Sequence, residues 1–219
     1  MKNKLFPLFT VALLLTGCAQ VKALPKPETI EGFWSMFKID KNINVFGTLD
    51  DYLLREDIVY RDMRMLVDPA KYENIGGDRF LSGFIEGFSV VPYPYLATLH
   101  GLPPEVEEGY RGPTLFDFDG VSTYTANYEQ SMTILLDLFP QDKTIFLMCG
   151  GGGYAMMSKD MLVALGWDQD KIYNVGCYWS YEGKHDIKVK IGEGENASYA
   201  FHRVDYKLID FDYLTERIV

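Results

Sequence analysis

The run Ile145-Phe146-Leu147-Met148-Cys149-Gly150-Gly151-Gly152-Gly153-Tyr154 decides how this chain folds. Lys143 to Met148 is a short, nearly continuous apolar stretch, the pattern of a strand buried on both faces of a parallel sheet. Four glycines follow Cys149 directly. Residues 154–165 then set Met157, Met161, Leu162 and Leu165 on one side of a helix that Gly166 stops. Strand, glycine loop and helix put Cys149 at the carboxyl end of a strand, facing the crevice where open α/β sheets bind ligands. Glycines let successive N–H groups converge into an anion-binding nest, and the helix N-terminus adds partial positive charge. Both favour a thiolate, so a depressed thiol pKa is expected at Cys149. The bland alternative is a buried, inert cysteine ahead of a turn, since cysteine is among the most buried residue types.

Working outward, Ile172 to Val175 reads as the next strand and Asp57 to Arg61 as an earlier one ending at Asp62. Gly83 to Pro92 reads as a turn and a short strand closed by proline. Leu49 to Leu54 is a short helix, and a longer one starts at Tyr128, with apolar residues at 128, 132, 135, 136 and 139 ahead of Pro140. Strands alternating with helices predict an α/β fold, a parallel β-sheet with helices on both faces. Residues 93–125, rich in Pro, Gly, Tyr and Asp and without a period, read as a long loop insertion. After Lys184 the alternation of Ile187, Val189 and Ile191 around Gly192-Glu193-Gly194 predicts a C-terminal β-hairpin extension over 186–219.

Four of these segments carry a resemblance. Ile58-Val59-Tyr60-Arg61-Asp62-Met63-Arg64 is a strand followed by Asp-x-Arg, and Gly83 to Pro92 spells Gly-x-Ile-x-Gly-x-x-x-x-Pro. The Cys149 strand and loop come next, and then Gly176-Cys177-Tyr178-Trp179-Ser180-Tyr181-Glu182-Gly183. In this order and spacing, residues 44–185 resemble a rhodanese (thiosulfate sulfurtransferase) domain. The resemblance implies that Cys149 is the nucleophile. It would take sulfane sulfur from a small donor, hold it as a persulfide and pass it to a thiol or other acceptor, with no cofactor. Gly150, Gly151, Gly152, Gly153 and Tyr154 would form the binding loop, with Asp62 and Arg64 beside it in a mainly architectural pair. Many family members carry Arg or Lys in this loop, whereas here it is all glycine, and Tyr154 either donates a hydrogen bond or simply packs. Ala155 stands where phosphatases of related arrangement need Arg, which argues against phosphatase chemistry. A silent rhodanese-like binding module and a thiol–disulfide device pairing Cys149 with Cys177 are the alternative functions.

The N-terminus carries a separate message. Lys2 and Lys4 precede an apolar run from Leu5 to Leu15, too short to span a bilayer, and Leu15-Thr16-Gly17-Cys18 resembles a bacterial lipobox. Residues 1–17 are therefore expected to be a lipoprotein signal peptide, Cys18 the lipidation site, and 18–43 the lipidated N-terminus and tether. That implies an extracytoplasmic protein held to the lipid bilayer of a bacterial membrane. The formal charge of −10 disfavours nucleic acid as a partner. With Cys18 acylated only two thiols remain, and His100, His185 and His202 lack ligand spacing, so no metal site is expected.

Overall fold

The strands read around Cys149 form the centre of the structure, a computed structural model that describes residues 22–32 and 37–218. Expectations for residues 1–21, Cys18 among them, lie outside the described residues. In chain order the strands are β1 (Thr29–Glu31), β2 (Lys38–Asp40), β3 (Ile58–Asp62), β4 (Gly83–Ile85), β5 (Ser89–Val90), β6 (Phe116–Phe118) and β7 (Tyr124–Ala126). They continue with β8 (Thr144–Cys149), β9 (Ile172–Cys177), β10 (Asp186–Lys188), β11 (Lys190–Ile191) and β12 (Ser198–Tyr199). The α-helices are α1 (Tyr93–Leu96), α2 (Pro104–Glu107), α3 (Ser131–Leu138) and α4 (Gly153–Ala164).

The fold is α/β. β5, β3, β8 and β9 lie side by side in that order, and every pairing is parallel. Successive strand residues point to opposite faces. Ile145, Leu147 and Cys149 therefore join a core with Leu96 of α1, Leu135 of α3 and Met157, Met161 and Leu162 of α4. Phe146 and Met148 join a second core on the other face, with Tyr60, Tyr173 and Val175. Helices were expected on both faces, but all four α-helices contribute to the first core. The second is closed by Ile43, Val45 and a 3-10 turn at Leu49–Tyr52, segments too short for a helical period.

Three further differences have physical causes. Residues 93–125 are not one loop, since they fold as α1, α2 and the β6–β7 hairpin, and four-residue helices show no periodicity in sequence. The α3 face is also rotated from the expected one. Ser131, Leu135, Leu138 and Phe139 are buried, while Met132 and Leu136 are 37% and 41% exposed. The helix starts at Ser131, whose hydroxyl donates to the Leu115 carbonyl at 2.7 Å and fixes that side inward. Finally, the C-terminal residues are more than an appended hairpin. β10 pairs with β4, β11 turns back onto β12, and the tail then runs along β5, with Val90 bonded to both Asp205 and Lys207.

One irregularity matters for the chemistry. Leu147 pairs with Asn174, but Met148 pairs with Gly176, so β9 carries an extra residue, Val175, at this point. Gly176 takes φ +109°, as glycine can and other residues rarely do. Beyond the bulge the faces no longer match. Cys149 and Cys177 are Cα partners, yet Cys149 belongs to the core under α4 and Cys177 to the core on the opposite face.

Candidate active site around Cys149

Cys149 ends β8 and is 2% exposed. The backbone N–H of Gly152 donates to its Sγ at 3.0 Å. Gly152 can point its N–H there because it takes φ +98°, in the left-handed region, just ahead of α4. Gly150 is glycine for a different reason: a Cβ there would lie 2.6 Å from the Trp179 ring, and the backbone N–H of Trp179 donates to the Gly150 carbonyl at 3.3 Å. The loop is therefore set by one special backbone angle and one close aromatic contact, rather than by four equivalent glycines.

Asp62 and Arg64 stand beside it, at the carboxyl end of β3. Asp62 is fully buried and Arg64 is 7% exposed. The Arg64 Nε donates to Asp62 Oδ1 at 2.9 Å, its Nη2 bonds both Asp62 Oδ2 and, at 2.8 Å, the Gly83 carbonyl, and the guanidinium lies 4.3 Å from the centre of the Tyr178 ring. Nη1 has no hydrogen-bond partner, and neither does the buried Nε1 of Trp179. Buried donors are nearly always paired, and a buried ion pair with an unmatched donor loses part of what offsets its desolvation. Arg64 and Trp179 line the same cavity as Cys149. A cationic side chain thus shares the cavity with Cys149, supplied by the strand end and not by the loop.

The cavity holds about 280 Å³. Cys149, Gly150, Gly151, Gly153 and Tyr154 form one side, while Leu102, Pro103 and Val106 come from the 93–125 segment. Tyr154 packs, and its hydroxyl bonds within the protein. Its hydroxyl donates to Asp68 Oδ2 at 2.9 Å, and its ring packs at 3% exposure. Tyr72 donates to the same carboxylate oxygen at 3.3 Å. Burial pushes the Asp68 carboxyl up, against the Ala70 N–H and both tyrosine hydroxyls. Asp68, Tyr72, Arg79, Leu102 and Val106 were not read as site residues. Nothing near them in sequence marks them, because each arrives through tertiary packing. Trp179 lay within a quoted motif, and the glycine at 150 was the available hint of a close neighbour.

The electrostatics correct one expectation. The Cys149 thiol is pushed up to about 12, not down, because burial disfavours its charged form. The N–H groups of Ala155 and Gly152 pull in the expected direction, but desolvation outweighs them, and Asp62 and Cys177 oppose them further. Cys149 and Cys177 are free thiols. With its side chain in the opposite core, Cys177 has its Sγ 3.3 Å from the Ser180 hydroxyl. A direct Cys149–Cys177 bond would require the backbone at the bulge to move, since a disulfide needs Cβ atoms that face each other. No protein family, curated protein or solved structure matches this chain in comparison.

Proposed function

We propose that the chain is a rhodanese-like sulfurtransferase in which Cys149 carries sulfane sulfur as a persulfide from a small donor to a thiol or other thiophilic acceptor. One observation carries the reading. Cys149 lines a cavity, its Sγ accepts an N–H bond from Gly152, and Arg64, whose Nη1 has no partner, lines the same cavity. Charge-assisted hydrogen bonds are roughly twice as strong as neutral ones, so an anionic sulfur is held better here than in water-exposed backbone alone. Leu102 and Val106 line the cavity without filling it, which favours substrate selection over a blocked binding module. The lipobox-like residues add an extracytoplasmic protein anchored through lipid on Cys18, which fractionation of a Cys18→Ser protein tests. The catalytic test is thiosulfate:cyanide transfer. Weak but measurable activity that disappears in Cys149→Ser supports the proposal, and activity surviving that change refutes it. A silent binding module is the second reading, favoured by the thiol's complete burial and high pKa.

A further inference from the structure

The apolar lining of the cavity is the informative part. Tyr72, Ile75, Phe80, Leu81, Leu102 and Val106 line it, and they come from three separate segments of the chain. Part of the polar lining is committed within the protein. The Asp68 carboxylate accepts from Tyr72, Tyr154 and the Ala70 N–H, and the Arg79 Nε donates to the Asp68 carbonyl at 3.0 Å. Arg64 Nη1 and Trp179 Nε1, on residues that line the cavity together with Cys149, have no hydrogen-bond partner, and Asp78 and Arg79 add charge to the lining. The lining therefore combines a few cationic and donor groups with a larger apolar share. Inorganic thiosulfate, a small hydrophilic dianion, uses only the first.

Resting on the sulfur-transfer reading, we propose that the donor is an organic persulfide with an apolar organic group, its terminal sulfur anion at Cys149 and Arg64 and its organic group against Ile75, Phe80, Leu102 and Val106. The step balances without any further reagent. Cys149 first passes its proton to the terminal sulfur of R–S–S⁻, the resulting thiolate attacks that outer sulfur of R–S–SH, and a new S–S bond forms. The old S–S bond breaks, its electron pair goes to the inner sulfur, and that sulfur takes the proton Cys149 gives up. Cys149–SH and R–S–S⁻ become Cys149–S–S⁻ and R–SH, with charge unchanged. A buried, protonated thiol suits this exchange, because the proton it holds is the one the leaving sulfur needs. The apolar lining then stabilises the departing thiol's organic group equally, so it adds affinity and selectivity for the donor.

The test uses three donors on the full chain: benzyl persulfide, glutathione persulfide and thiosulfate, with sulfur loading of Cys149 followed by intact mass. Benzyl and glutathione persulfides share the sulfur head and differ in the body. Benzyl persulfide should load Cys149 at least about tenfold faster at limiting donor, since burying an aromatic ring favours binding by that factor or more. Ile75→Asn should collapse the ratio of the two persulfide rates towards one. Ile75 is only partly buried, so the fold is expected to tolerate it, and Val106→Asn provides a second variant with the same expected collapse. Equal loading by the two persulfides, or a ratio unmoved in both variants, overturns the apolar-donor inference and leaves sulfur transfer standing. Loading by none of the three donors removes the sulfur-transfer reading itself and this inference with it.

Discussion

Cys149 and Cys177 are nearest neighbours on adjacent parallel strands, Cα opposite Cα, and both are buried. Their surroundings nevertheless have little in common. Cys149 accepts from the Gly152 N–H and lines a cavity together with Arg64, whose Nη1 is unpaired. Cys177 sits in the opposite core with aromatic and aliphatic neighbours, and its one polar contact is the Ser180 hydroxyl. One extra residue in β9 makes the difference, because a shift of one residue in a strand sends every later side chain to the other face. Sequence position and strand order put two thiols together, and the bulge separates their chemistry. Each prediction below alters one side of that contrast.

The largest effect is expected at Arg64. Arg64→Ala leaves the fully buried Asp62 carboxylate without its cation, and breaking a buried pair costs about 3–5 kcal/mol. Chemical denaturation should show that loss. Arg64→Lys keeps the charge but not the forked geometry, so it should retain the fold better than it retains sulfur loading. Next comes Gly150→Ala, whose Cβ must displace the Trp179 ring at a cost of roughly 1–3 kcal/mol, with a change in tryptophan fluorescence as the direct sign. An unchanged spectrum and midpoint would show that the loop yields instead. For the same reason Arg cannot be added at position 150 to strengthen anion binding.

The Cys149 thiol also sets a pH dependence. Unfolded, it ionises near its ordinary value of about 8.5, whereas in the folded chain it keeps its proton up to about 12. The folded state binds more protons between those values, so this group's contribution is complete below the first and is lost as pH rises towards the second. Stability should fall by at most about 1.4 kcal/mol per pH unit in that window, and Cys149→Ala should remove this part of the slope. Urea midpoints at pH 8 and pH 10 for the two proteins give the comparison. The smallest effect is expected at Cys177. Cys177→Ala should cost about 1 kcal/mol and leave sulfur loading within about twofold. Peroxide treatment should yield no Cys149–Cys177 cross-link in peptide maps; a quantitative cross-link would mean that the bulge rearranges readily.

The central sheet was legible because β3, β8 and β9 are short apolar runs, and their observed bounds lie within two residues of those read from sequence. The covering of the second face was not, since Ile43, Val45 and the 49–52 turn carry no helical period. The 93–125 segment hid its elements for the same reason. Cys149 and its loop were legible from strand, glycines and helix, but the direction of the thiol's shift was not, because glycine content reports N–H groups and says nothing of burial. The position of Cys177 could have been read more closely: Gly176 inside an apolar strand is the usual mark of a bulge. Arg64's unpaired nitrogen and the Asp68–Tyr154 bond depend on segments that meet only in three dimensions.

The most direct test exposes the protein to a sulfane-sulfur donor and maps the added sulfur by peptide mass spectrometry. The account expects one sulfur atom on Cys149 and none on Cys177, with the same Cys149 adduct in Cys177→Ala and none in Cys149→Ser. Sulfur found on Cys177, or transfer that persists in Cys149→Ser, would contradict it.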